Sequence, residues 1–285
     1  MNSIATSALV GLLVLPAYAQ EPSAKGVNFY SLAWEVQLGQ EAAATLTRTL
    51  PVVHEPKLDA YLAKLTAELA KYDGQQFAFS FTVYEDRKPV GLQWVALAMP
   101  VDAFQRHTAE PVALAGGPIL VPLSLLADAP GEAEFAFQLA HAMAHIALRH
   151  STKQATREQL QNLATIPLIK IESDPGFARA AILTSEQIAM QAGLLVSARQ
   201  FELQADTVAT SIMAAAGYDP ETVVPYLEGQ TPADGVRPSK IFSAHPTVNQ
   251  RVEKIRAAAE KLPARVYSAS TGEFDEVKAL AVSVR

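Results

Sequence analysis

Two histidines four residues apart, His141 and His145, lie in a stretch rich in alanine and leucine. On a helix that spacing brings both imidazoles to one face, one turn apart. Two neutral ring nitrogens so placed can reach a single metal ion, and zinc favours such donors at about 2.0–2.1 Å. A zinc site needs at least one further protein ligand. Glu202 and Asp206, also four apart, supply carboxylates on one face of a second expected helix. One carboxylate can bind the metal while the other accepts the free N–H of a ligand histidine. Spacing alone leaves open which does which.

In the zinc-protease signature His-Glu-x-x-His the glutamate acts as general base. Here Ala142 stands in its place. The metal half of the motif is intact and the base is missing. Gln138 is not basic at neutral pH, and Glu134 lies two turns before His141, about 10 Å along the axis. Taken alone, the histidine pair could be a core feature; the two carboxylates argue for a metal.

These groups need elements to hold them. The central helix is expected from about residue 128 to beyond His150, with Glu132 and Glu134 in its first turn, where the dipole favours acids. Upstream, helices are expected over 27–50 and 56–72, the second with Pro56 near its start and Leu58, Leu62, Leu65 and Leu69 on one face. Strands are expected over 77–84, 92–98 and 119–123, and a turn at Asp73-Gly74. Residues 155–196 read as helical stretches broken by Pro167 and by Asp174-Pro175-Gly176, a flap or a hairpin. Downstream come a helix over 197–216 stopped by Gly217, another started by Asp219-Pro220, and a last one over 249–261. The pattern predicts one α+β domain, mainly helical with a small sheet.

Composition narrows the class. With 285 residues, 49% hydrophobic and 18% charged, the chain can bury a sizeable core, and a net charge of −6 argues against nucleic acid. Residues 4–16 form a short apolar run, followed by Ala17-Tyr18-Ala19, the pattern of a cleaved signal peptide. The expectation is export to a periplasm or medium, with a mature domain over 20–285 and no membrane span in it. The absence of cysteine rules out disulfides, so the core alone must hold the fold.

The order of motifs is specific. His141-x-x-x-His145 is followed by Glu202 and Asp206, by Gly217-Tyr218-Asp219-Pro220, and by His245-Pro246 with Arg251, while Leu38-Gly39, Gly116-Gly117 and Arg149-His150 precede or adjoin them. The chain in this respect resembles the HtpX, BepA and CAAX prenyl endopeptidase family of gluzincin metallopeptidases. The resemblance implies a zincin-like fold holding one zinc per chain on His141, His145 and Glu202, with Asp206 behind them. It implies His245 and Arg251 near the site, an edge strand at 119–123 for an extended polypeptide, and endopeptidase activity. Ala142 departs from the pattern and implies impaired hydrolysis. The competing expectation is a catalytically dead relative that binds a polypeptide or partner protein through a zinc-stabilised groove.

Overall fold

The computed structural model describes residues 27–71, 76–87, 110–170, 198–229, 246–267 and 270–285, with the backbone alone for 161–170. Its centre is a helix that is buried nearly all round, as only a core helix can afford. This helix, Glu132–Ala147, is named α4 below; Phe135, Phe137, Leu139 and Met143 are its largest fully buried side chains. Of its last two turns, His141 and His145 are only partly covered.

Helix α1 (Leu32–Thr47) starts at Ser31, whose hydroxyl accepts from Trp34 N. At Gly39 a Cβ would sit 1.7 Å from the Ala115 carbonyl oxygen, so only glycine lets α1 lie this close to the turn before the sheet. Helix α2 (Pro56–Ala70) has Pro56 in its first turn and buries the leucine stripe that its spacing predicts. Three strands follow: β1 (Ser80–Tyr84), β2 (Val112–Ala113) and β3 (Pro118–Pro122). β1 runs parallel to β3, with Ser80 opposite Pro118 and Tyr84 opposite Pro122. β2 pairs antiparallel, with Val112 opposite Leu120 and Ala113 opposite Ile119.

The strand order β1-β3-β2 corrects one expectation. The strand anticipated at 119–123 is central, because both of its edges are paired, and it is buried along its whole length. Among the described residues the edges belong to β1 and β2. The strand expected at 92–98 and the turn at Asp73-Gly74 lie outside the described residues.

A short helix α3 (Leu123–Asp128) leads from the sheet into α4. The start of α4 is clamped by Glu132, which accepts hydrogen bonds from the Tyr61 hydroxyl at 2.9 Å and the Thr271 amide at 2.6 Å. The central helix does not run past His150, as its composition suggested. It ends at Ala147, Arg149 takes the left-handed conformation (φ 60°), and a separate helix α5 (His150–Lys170) begins. A left-handed residue with a side chain costs about 1–2 kcal/mol. Arg149 offsets it by pairing with Glu35 of α1 (Nε to Oε1 2.8 Å) and donating to the Tyr30 carbonyl. Helix α5 continues through Pro167, where a break was expected; one proline removes a single donor and can bend a helix without ending it.

Helix α6, over 198–216, stops at Gly217 (φ 97°), where Tyr218 N donates to the Met213 carbonyl. The Asp219 carboxylate then accepts from Glu221 N and opens a 3-10 turn, Pro220–Thr222, that passes into α7 (Val223–Gly229). Helix α8 (Val248–Ala259) is closed at its start by a capping box between Thr247 and Gln250. It is not the last helix. α9 (Gly272–Val284), capped by Thr271, packs Phe274, Val277 and Ala281 against α2 and α3. None of the helices among the described residues is long and apolar enough to cross a membrane.

Candidate metal centre

Helices α4 and α6 meet where their two i, i+4 pairs face each other. His141 Nε2 and His145 Nε2 are 3.0 Å apart; the first lies 3.4 Å from Glu202 Oε2 and the second 3.4 Å from Glu202 Oε1. Donors at about 2.0–2.1 Å around a tetrahedral zinc lie about 3.3–3.4 Å from one another. The two ring nitrogens and the Glu202 carboxylate, one oxygen turned to each ring, are therefore grouped closely enough to share one ion. Among the described residues His141, His145 and Glu202 are the one group of this kind that could hold a metal ion.

Behind this face the contacts differ for the two histidines. His141 Nδ1 lies 3.0 Å from Asp206 Oδ1, an off-line electrostatic approach. Asp206 is fully buried and is gripped from α8 by Arg251, whose Nε and terminal nitrogen donate at 2.9 and 2.7 Å. This two-toothed arrangement suits the planar guanidinium. His145 Nδ1 faces His150 Nδ1 at 3.1 Å, and His150 Nε2 faces Gln204 Oε1 at 3.2 Å.

The electrostatics follow from this division. Burial disfavours charge on His141, but the Asp206 and Glu202 carboxylates outweigh it and hold its pKa up at about 9. Burial pulls His145 down to about 4 despite the Glu202 charge, helped by the neighbouring His141. Glu202 is kept well below the ordinary carboxyl range by His145 and His141 in spite of its burial, and Asp206 by Arg251 and His141. The site thus carries two carboxylates, one neutral imidazole, and a proton on His141 that a metal cation would displace.

Ala142, next along α4, is 2% exposed and packs in the main core. Its methyl group can neither take nor give a proton. His245 lies outside the described residues, as do the expected leader at 1–19, residue His107 and residues 171–197. His54 is exposed, a surface residue as its surroundings suggest. His150, open from the sequence to a helix-end role or a site role alike, is 3% exposed and touches His145. The Arg149-His150 pair among the ordered motifs was its signal, and nothing local announces a left-handed arginine.

The description "Peptidase family M48" fits residues 97–259, more than half of the chain. The chain belongs to peptidase family M48. The M48 stretch contains His141, His145, Glu202, Asp206 and Arg251, and leaves α1, α2 and α9 outside it. A beta-barrel assembly-enhancing protease of Escherichia coli (strain K12) is 22% identical over 247 residues, covering 84% of this chain and 47% of its own length. The putative beta-barrel assembly-enhancing protease of Vibrio cholerae is 25% identical over 239 residues, 80% of this chain and 45% of its own. The M48 chain spans about half the length of the curated relatives it matches.

Proposed function

We propose that this chain is an exported M48 zinc metalloendopeptidase acting on polypeptides, with hydrolysis impaired at the proton-transfer step. The observation that carries the reading is the convergence of His141, His145 and Glu202 at 3.0–3.4 Å. One zinc ion per chain, bound there, would supply Lewis-acid polarisation of a scissile carbonyl and a water acidified from 15.7 towards about 7. His141, His145 and Glu202 hold the ion, and Asp206 with Arg251 fixes the His141 ring. Among the described residues, the step left without a residue is removal of the water's proton and its delivery to the leaving amine, typically about 10²–10⁴ in rate. Glu202 and Asp206 are committed to the metal face and to Arg251. Ala142 offers nothing in their stead. An extended substrate would add to one of the two edges among the described residues, β1 or β2, since β3 is paired on both sides.

The A-x-A pattern at Ala17-Tyr18-Ala19 supports removal of residues 1–19 and a single domain over 20–285 in the periplasm or medium. The names of the relatives support a role in envelope protein quality control. The buried alanine at 142 favours a second reading, a pseudopeptidase whose zinc-stabilised groove binds a polypeptide or partner protein without cutting it. Cleavage of casein and of a peptide library, with and without a chelator, separates the two. Slow, chelator-sensitive cutting supports the peptidase, and its absence in zinc-loaded, folded protein leaves the binding protein.

A further inference from the structure

Helix α4 ends two residues after His145, and the manner of its ending decides what stands behind that ring. In an unbroken helix, residues five apart point about 140° away from each other and cannot touch. The left-handed turn at Arg149 (φ 60°) brings His150 back, so that its Nδ1 lies 3.1 Å from His145 Nδ1. The ring is held by stacking on Phe201 of α6, with centroids 4.3 Å apart and planes 18° from parallel. Its other nitrogen, Nε2, meets Gln204 Oε1 at 3.2 Å.

The hydrogens on this chain follow from the face of the Gln204 amide that is turned to His150, which is its oxygen. The side-chain carbonyl oxygen of Gln204 can only accept, so His150 carries its proton on Nε2. A neutral imidazole has one N–H. His150 Nδ1 is therefore a bare lone pair and must accept, which places the proton of His145 on Nδ1. His145 Nε2 is left bare, and it is this atom that lies 3.0 Å from His141 Nε2 and 3.4 Å from Glu202. We propose that His150 and Gln204 are positioning residues that fix the tautomer and ring orientation of His145, so that Nε2 is the nitrogen offered to the metal. The inference rests on the reading of His145 as a zinc ligand. It gives the two histidines different supports: His141 is backed by a carboxylate, and His145 by an uncharged imidazole and amide.

The charge-neutral support distinguishes Gln204 from a generic polar neighbour. A donor in its place would put the bare lone pair of His150 on Nε2 and a proton on Nδ1. His145 would then have to accept at Nδ1 and carry its own proton on Nε2, blocking the metal. Gln204→Lys reverses the relay in this way, while Gln204→Glu preserves it.

The test uses the full chain, with zinc affinity measured by chelator competition and the ring nitrogens of His145 followed by ¹⁵N NMR in metal-free protein. His150→Phe keeps the stacking on Phe201 and removes the acceptor, and should weaken zinc by about 10–100-fold, the usual effect of losing such a partner. His150→Asn returns an oxygen near the position of Nδ1 and should recover most of the loss. A residue that merely filled space would show the opposite order. In the unaltered chain His145 should appear as the Nδ1–H tautomer, and in His150→Phe and Gln204→Lys the proton should move towards Nε2. Unchanged zinc affinity in His150→Phe, or an unchanged His145 tautomer, overturns the proposal. If His150→Phe does not fold, Gln204→Lys, on a half-buried helix position, decides by the same two readouts. If the unaltered chain binds no zinc, the metal reading falls, and the tautomer in metal-free protein still decides the relay.

Discussion

Replacing Arg251 with methionine tests the support behind the site through stability alone. The methionine keeps much of the apolar stem and removes both hydrogen bonds to Asp206, at 2.9 and 2.7 Å. Asp206 is fully buried, so water cannot replace the lost partner. Removing one member of a buried pair typically costs about 3–5 kcal/mol. The His141 ring, 3.0 Å from Asp206, remains as partial compensation, which places the expectation near the lower end, about 3 kcal/mol. Against a total of about 5–15 kcal/mol the variant stays folded and measurable. Urea denaturation followed by circular dichroism, with a chelator present throughout, keeps metal out of the comparison. Asp206→Asn and the double variant complete a cycle, in which the double should cost less than the sum of the singles by about 1–3 kcal/mol. A loss below about 1 kcal/mol for Arg251→Met, or strictly additive singles, would refute the claim that this pair locks α8 onto α6.

Ala142→Glu should raise zinc-dependent cleavage of unfolded protein or peptides by about 10²–10⁴, if the new carboxylate reaches from its buried position to the reacting water. A chelator, or His145→Ala in the same chain, should abolish the gain; a folded, zinc-loaded variant that cuts nothing would favour the binding-protein reading. Arg149→Gly removes the strain of the left-handed turn, worth about 1–2 kcal/mol, but leaves Glu35 buried without its cation at a cost of about 3–5 kcal/mol. The net expectation is a destabilisation of about 1–4 kcal/mol by urea denaturation, and a variant more stable than the parent would contradict the role given to the Glu35 pair.

Local rules made much of this fold legible. The α2 stripe of Leu58, Leu62, Leu65 and Leu69, with Pro56 in the first turn, needed no tertiary information. The stop at Gly217 and the Asp219 cap are likewise written in adjacent residues. Helix α9 also carried its own signal, since Thr271, the acids Glu273 and Asp275, and the spacing of Phe274, Val277 and Ala281 mark a capped, one-sided helix. What the sequence could not give depends on distant partners. The break after Ala147 rests on Arg149 meeting Glu35, 114 residues earlier, and no glycine advertises it. The central place of β3 depends on pairing with β1, whose register no local pattern fixes. The histidine pair and its carboxylates were visible from spacing because i, i+4 pairs on two helices need only those helices to meet. Spacing left open which carboxylate binds the metal; in the structure Arg251 pairs with Asp206 while Glu202 faces the two histidines, which supports the proposed division between them.

The measurement closest to the central claim is the zinc content of the metal-replete, dialysed chain beside its single-site variants. The account predicts one zinc per chain for the unaltered protein, little or none after His141→Ala, His145→Ala or Glu202→Ala, and an affinity reduced by about 10–100-fold after Asp206→Ala. An unaltered protein that retains no zinc after dialysis, or a Glu202→Ala variant that binds it as tightly as the parent, would contradict the site.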